Sequence, residues 1–231
     1  MSDSQTSGSQ TPPLFLSSDI CRIATDEVKE EGALPKSTDP RGPLFQSNAR
    51  KWWKVDILIN ALSALNYPVS IQPVSDTKSE SAMVYCCDTN RIMINPSKFM
   101  TPFGYRRALA RGLVYAFDNA RAKLDYNNVV DHLVCTSVRA FNISGECDLW
   151  AKWSDYIGED PLGMDMYSKK QRCVRKNVVD SISMQSTVHT TSAINESLDR
   201  VWDRCFRDHW PFTAEAHMDT RYRDSPLVRP S

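Results

Sequence analysis

Two aspartates and a histidine near the middle of the chain have side chains that bind metal ions in many proteins. Two carboxylates and an imidazole, here from Asp118, Asp125 and His132, can together hold a divalent cation. The same residue types more often cap helices and accept hydrogen bonds from backbone amides. We therefore favour the capping role over a metal site.

Four arginines lie around the same part of the sequence, and a cluster of guanidinium groups can bind an anion. They are Arg106, Arg107, Arg111 and Arg121. A run of basic residues is more often a solvated face with acidic neighbours. We favour that interpretation, and a small-ligand or anion-binding module with Arg111 as its anchor remains an alternative.

Cysteine is the other residue type here that can do chemistry. The chain has seven cysteines and no Cys-x-x-Cys pair. His132 and Cys135 have the spacing of two metal ligands, but no second pair of the zinc-finger kind follows. The cysteines are therefore either buried small hydrophobic residues or, in an oxidising compartment, disulfide partners. Composition leaves both open.

The spacing of apolar residues predicts the elements that position these side chains. An apolar stripe with steps of three and four follows a plausible N-cap at Ser47 and Asn48, which predicts a helix up to Leu65. Short β-prone runs then occupy residues 69–74, 82–87 and 92–94.

Helical patterns fill the rest of the chain. The predicted helices are one that follows Pro102, one at Val129–Asn142, one that starts near Cys147, one through Val174, Val178 and Ile182, and one from Ile194 to Cys205. Residues 158–163 have the composition of a loop. A helix, a small sheet and then several helices indicate an α+β domain.

Composition limits the classes of partner and the domain organisation. The chain has 231 residues, with 28 Lys and Arg against 28 Asp and Glu. A direct nucleic-acid partner is not expected without a basic excess. The longest apolar stretch, 55–65, is too short to span a bilayer. We predict a disordered or extended arm at 1–47, a domain at 48–212 and an irregular tail at 213–231. The N-terminus does not have the composition of a targeting peptide.

Residues 107–147 carry a pattern of short motifs at fixed spacing. The segment reads RALARGLVYAFDNARAKLDYNNVVDHLVCTSVRAFNISGEC. It resembles the central block of a family of mitochondrial intermembrane-space zinc peptidases, which trim a precursor subunit of ATP synthase and help assemble that complex. Similar matches occur at 84–92, 172–176 and 201–212. The resemblance covers about residues 50–225 and implies a zincin-like fold, with a small sheet followed by a helical bundle.

Four positions depart from the family's catalytic pattern. In an HExxH helix, two histidines one turn apart bind zinc, and the glutamate between them acts as a general base. The resemblance places those three residues at Arg111, Tyr115 and Gly112, and places a glutamate ligand from the next helix at Ser137. An arginine is always cationic, and glycine and serine carry no carboxylate. The resemblance therefore implies a metal site that has been lost, with no cofactor.

The resemblance then implies a function without catalysis. We predict a pseudoenzyme that serves as a structural subunit or assembly factor of a mitochondrial inner-membrane complex. The candidate complexes are ATP synthase, the respiratory chain and a mitoribosome-associated assembly. Subunits of that complex would be the partners. The expected location is the intermembrane space or the periphery of the inner membrane. The alternative is an active metalloendopeptidase that processes an ATP synthase subunit precursor.

Two structural expectations complete the prediction. Four cysteines fall at family positions, and we expect at least one disulfide among them, with the pairing left open: Cys135, Cys147, Cys173 and Cys205. We also expect the vacated metal position to be refilled by Arg111 or Tyr115. Arg111 would then bond a carboxylate or a carbonyl there, with Asp118 the first candidate and Asp125 the second.

Overall fold

A computed structural model describes the parts of the chain that form the helices and the sheet. The described residues are 14–15, 39–74, 82–122, 124–126, 128–148, 166–183 and 189–213. They form a mixed α+β fold with a small sheet and mostly helices, as the sequence predicted at that level.

The chain opens on a short strand and two helices. Strand β1 is Leu14–Phe15, helix α1 is Arg41–Arg50, and helix α2 is Trp53–Ala64. The prediction of one helix from Ser47 to Leu65 is wrong, because Trp52 has an extended backbone that separates α1 from α2. The predicted boundary at 47/48 falls inside α1.

Helix α1 escaped sequence analysis because its segment, RGPLFQSNAR, contains several poor helix formers. Packing stabilises it instead. Phe45 and Ala49 are buried, and the Phe45 ring lies 5.8 Å from the ring of Tyr105.

The sheet has the strand order β1-β3-β4-β2. Its other strands are β2 (Ser70–Pro73), β3 (Met83–Cys86) and β4 (Arg91–Ile94). Strands β3 and β4 are antiparallel, whereas β2 runs parallel to β4 and β1 runs parallel to β3. All four residues of β3 are buried.

The helical part follows a 3-10 turn at Pro96–Lys98. Its helices are α3 (Pro102–Arg121), α4 (Val130–Ile143), α5 (Met166–Ser183) and α6 (Thr191–Arg207). Helix α3 packs against the sheet, α1, α2 and α4, and α4 packs against α5 and α6. The predicted helix after Cys147 and the loop at 158–163 lie largely or wholly outside the described residues.

None of the described helices combines the length and the apolar character that are needed to cross a bilayer.

Candidate functional site

Helix α3 is the central element of the candidate site. The side chain of Thr101 accepts a hydrogen bond from the Gly104 amide, and Pro102 occupies the first turn, so both residues favour a helix start here. Arg111, Tyr115 and Asp118 lie about one turn apart and therefore share one face. All three are buried, and their side chains contact residues of α4 or of the turn that follows it.

Arg111 forms a buried ion pair. Its Nη1 donates to Glu146 Oε2 at 2.8 Å, and the two side chains are 2% and 8% exposed. The guanidinium also lies over the ring of Phe141, 5.1 Å from the centroid. A carboxylate does accept from Arg111, but it is Glu146 and not Asp118 or Asp125.

Glu146 follows a turn that sequence analysis did not interpret. Gly145 has a φ of +82°, a conformation that favours glycine, and it brings Glu146 back toward α3. In the sequence, Glu146 directly follows this glycine in the segment SGEC. A turn at Gly145 was the signal that could have identified the partner of Arg111.

Tyr115 and Ser137 connect α3 to α4. Their hydroxyl oxygens are 2.6 Å apart. Ser137 Oγ donates to the Leu133 carbonyl at 2.8 Å, so its single proton is used and Tyr115 is the donor in the pair. Burial raises the pKa of Tyr115, so its phenol stays protonated. The exposed fractions of Tyr115 and Ser137 are 1% and 0%.

Asp118 belongs to a four-residue ionic network. It accepts from Arg139 Nε at 3.0 Å and from Arg121 Nε at 3.0 Å. Both arginines also pair with Asp208, just after α6. Burial raises the pKa of Asp118 against the opposing effect of Arg139 and Arg121. Arg139 and Asp208 were not singled out from the sequence, because the contact joins distant parts of the chain.

Asp125 and His132 order the turn between α3 and α4. Asp125 accepts from the backbone and side chain of Asn128 at 3.0 and 2.8 Å. His132 Nδ1 accepts from the Asp125 amide at 3.0 Å. Within the described residues, no three His, Cys, Asp or Glu side chains are grouped so as to hold a metal ion.

The four arginines do not converge on a common site. Arg111 pairs with Glu146, and Arg121 pairs with Asp118 and Asp208. Arg106 lies over the rings of Trp52 and Phe103 and forms no ion pair with the described carboxylates. Arg111 Nη1 is bonded to Glu146, whereas its Nε is buried without a hydrogen-bond partner in the described structure.

The helical half holds two disulfides. Cys135 of α4 is bonded to Cys205 of α6, and Cys147 is bonded to Cys173 of α5. These are the four cysteines at the family positions. Their pairing depends on how α4, α5 and α6 pack, which spacing alone did not give. Cys86 and Cys87 take part in neither of these two disulfides.

Comparison with known proteins identifies the family. The model of the Peptidase M76 family matches residues 46–213, and the chain therefore belongs to that family. No solved structure matches the chain.

Three relatives represent the curated proteins that match. One is the "Mitochondrial inner membrane protease ATP23 homolog" of Xenopus laevis, 31% identical over 140 residues, or 59% of this chain and 57% of the relative. The human protein of the same description is 30% identical over 135 residues, or 58% and 52%. The "Mitochondrial inner membrane protease atp23" of Emericella nidulans is 37% identical over 108 residues, or 45% and 41%. The matched part thus spans about half the length of these relatives.

These comparisons contradict part of the sequence interpretation. The predictions of a non-catalytic structural subunit or assembly factor, and of a pseudoenzyme, are wrong by this finding, because the family and the relatives are named as peptidases and proteases. The resemblance to a mitochondrial zinc peptidase family is confirmed.

Proposed function

We propose that this chain is an endopeptidase that works at the mitochondrial inner membrane. The observation that carries the proposal is the family match across residues 46–213, which includes α2 to α6 and three of the four strands. The named relatives are inner-membrane proteases, which supports both the activity and the location. Subunits of a mitochondrial complex as further partners remain a prediction from sequence.

We also propose a zincin-like arrangement for the domain. Helix α3 corresponds to the helix that carries the HExxH motif in the family, and α4 corresponds to the helix that supplies the third ligand. Strands β3 and β4 pack beside α3, so a sheet flanks the active-site helix. This order of elements is what the resemblance implies for a zincin-like domain.

The residues at the family's ligand positions do not fit a zinc ion. Arg111 is cationic, and the Tyr115 phenol remains protonated. Ser137 offers only a hydroxyl whose proton is already donated. Gly112 has no side chain that could act as a general base. A Cβ at this position would lie 3.0 Å from Met83 Sδ and 3.2 Å from Ile92 Cδ1, so the neighbouring side chains occupy the space beside the glycine. No step of peptide hydrolysis is assigned to these four residues.

We propose that the Arg111 and Tyr115 side chains fill the space that the metal takes in relatives. The Arg111–Glu146 pair would supply the charge balance between α3 and α4, and the Tyr115–Ser137 bond would replace ligation as the link between the helices. Zinc measured by atomic absorption in the purified chain and in a Tyr115→His variant tests this. We expect no stoichiometric zinc in either protein. One zinc per wild-type chain, lost on Arg111→Met, would contradict it.

The endopeptidase proposal is tested by cleavage. The purified full chain is incubated with casein and with an unprocessed ATP synthase subunit precursor, the substrate that the resemblance implies. The Xenopus laevis relative serves as the positive control. We expect cleavage that co-elutes with this chain on gel filtration. A folded chain that cleaves neither protein, under conditions where the relative does, would overturn the proposal.

A further inference from the structure

The end of the domain formed by α1, the 3-10 turn and the start of α3 exposes apolar side chains. Leu44, Met100 and Phe103 are 65%, 95% and 54% exposed, and they are three of the four exposed large hydrophobic residues in the described part of the chain. The fourth, Val129, is 38% exposed and lies at the start of α4. We call the region around the first three residues the apolar–basic surface.

Local contacts show that these three residues belong to one surface. Arg41 Nη1 donates to the Phe99 carbonyl at 3.4 Å, which ties α1 to the segment that carries Met100. The Tyr105 ring lies 5.8 Å from Phe45 and 5.6 Å from Phe99. Helix α1, residues 96–101 and the first turns of α3 therefore form one rigid end of the domain.

Basic side chains surround this apolar group. Segments 39–56 and 96–107 contain seven Lys and Arg against two Asp, in a chain with no net charge. Five of these cations have no carboxylate partner among the residues that the structure describes: Arg50, Lys51, Lys98, Arg106 and Arg107. At this end of the domain, five cations are therefore not neutralised by any described carboxylate.

The Arg106 guanidinium is positioned by two aromatic rings. Its guanidinium lies 4.7 Å from the Trp52 ring centroid and 4.4 Å from that of Phe103. Its Nε is buried without a hydrogen-bond acceptor in the described structure. Burial lowers the pKa of Arg106, and the neighbouring charge of Arg107 lowers it further. An approaching anion would relieve that repulsion.

We propose that the apolar–basic surface docks this chain on an anionic phospholipid bilayer. Exposed apolar side chains with Lys and Arg around them are typical of proteins that insert at the lipid interface, because the apolar groups enter the acyl boundary while the cations contact anionic headgroups. Met100 is 95% exposed and lies in a segment with an excess of Lys and Arg, which favours an anionic bilayer over a folded protein partner. The inference deepens the proposed inner-membrane location and assigns it to particular residues.

Flotation with vesicles tests the proposal on the full chain. One set of vesicles contains phosphatidylcholine alone, and the other contains phosphatidylcholine with phosphatidylglycerol. We expect binding to the second set only, and we expect that binding to weaken as salt is raised, since salt screens exposed charges. Failure of the wild-type chain to bind the anionic vesicles at low salt would overturn the proposal.

Paired variants assign the effect to the surface. Lys51→Gln with Lys98→Gln should lower the partition coefficient about fivefold for each charge removed. Arg172→Gln with Lys176→Gln removes the same charge from α5 and should change binding less than about twofold, because α5 packs against β1, α4 and α6 and is not part of the apolar–basic surface. Met100→Ser should weaken binding, whereas Val129→Ser should not. Equal losses in both members of either pair would contradict the assignment.

The outcomes also separate this inference from the proposed activity. Vesicle binding needs no substrate, so a chain that floats with anionic vesicles but cleaves nothing would refute only the endopeptidase proposal. A chain that cleaves but does not bind these vesicles would refute only the bilayer proposal. If surface variants lost a protein partner while the wild type ignored vesicles, the surface would be a protein-docking site and the bilayer proposal would fail.

Discussion

Helix α3 uses two of its arginines in opposite ways. Arg111, at the middle of the helix, is 1% exposed and has a carboxylate partner at 2.8 Å. Arg106, little more than one turn earlier, lies between two aromatic rings and has no carboxylate partner in the described structure. The charge of Arg111 is therefore balanced by the buried carboxylate of Glu146, whereas the charge of Arg106 is not balanced by any described carboxylate.

This difference separates a structural from a binding role for the same residue type. A buried cation must be paired, because an unpaired charge in the interior costs several kcal/mol. An exposed cation can stay unpaired at little cost and remains available for a ligand. Arg106 lies in the first turns of α3, and Arg111, which the resemblance places at a ligand position, lies at the middle of the helix.

Removal of Arg111 should give the largest loss of stability. Arg111→Met keeps most of the volume but leaves the Glu146 carboxylate buried without its partner. We expect the free energy of unfolding to fall by about 3–5 kcal/mol. Urea denaturation followed by circular dichroism measures it.

Two further variants serve as the comparison for that loss. The double variant Arg111→Met with Glu146→Leu should recover most of it, because no charge remains buried. Arg106→Met should cost less, about 1–2 kcal/mol, the value of cation–π contacts made by a half-buried guanidinium. If Arg106→Met were as damaging as Arg111→Met, the proposed division of α3 into two roles would be wrong.

The disulfides provide a second test, because they join α4 to α6 and Cys147 to α5, close to the buried Arg111–Glu146 pair in sequence but not to Arg106. Replacing Cys135 and Cys205 together by alanine should lower the free energy of unfolding by about 2–4 kcal/mol, since the bond closes a loop of 70 residues. Cys87→Ala, which removes a free and half-buried thiol, is the control. Alkylation of all seven cysteines in the denatured, unreduced protein would contradict both disulfides.

The spacing of apolar residues predicted the helices in which apolar residues recur at steps of three and four. It did not predict a helix that lacks this pattern. Helices α2, α4 and α6 follow apolar steps of three and four. Helix α1 was missed because its segment has weak propensity and is held by Phe45 and Ala49 against α3. Propensity is a weak guide where tertiary packing decides.

The resemblance directed attention to Arg111, Tyr115 and Ser137, and their assignment to lost ligand positions stays a prediction. The structure shows a hydrogen bond between Tyr115 and Ser137 and an ion pair between Arg111 and Glu146, which the sequence did not indicate. The partner of Arg111 depends on the turn at Gly145, and the Asp118 network depends on Asp208 at the far end of the domain. A contact between distant segments leaves no periodic signal in one sequence.

The hydrogen bond between Tyr115 and Ser137 should contribute a smaller amount. Tyr115→Phe leaves Ser137 Oγ without its donor, and we expect a loss of about 1 kcal/mol in unfolding free energy. Ser137→Ala should have a similar cost, because the Tyr115 hydroxyl is then buried without an acceptor. The double variant should lose less than the sum of the two. Strict additivity would show that the bond contributes nothing.

The smallest expected effect is a change in acid stability from Asp208, which is partly exposed. Burial raises the pKa of Asp208, but Arg139 and Arg121 outweigh it, so the pKa is lowered overall. A carboxyl group with a lowered folded pKa stabilises the protein above its unfolded pKa, and that contribution disappears as the pH falls through the folded value.

Asp208→Asn should therefore be less stable than the wild type near neutral pH, and the two proteins should converge between about pH 4 and pH 2. The raised pKa of Asp118 acts in the opposite sense, because its stabilising contribution is present at low pH and is lost as the pH rises through the folded value. Removing the Asp208 charge also takes away one of the causes that raise the pKa of Asp118, so the difference reports Asp208 together with its effect on Asp118. Asp131→Asn breaks the more exposed pair with Arg200 and should give a smaller difference. The measurement is the urea midpoint of the wild type and of Asp208→Asn across this pH range. A difference between the two midpoints that stays constant with pH would show that Asp208 acts through packing and not through its charge.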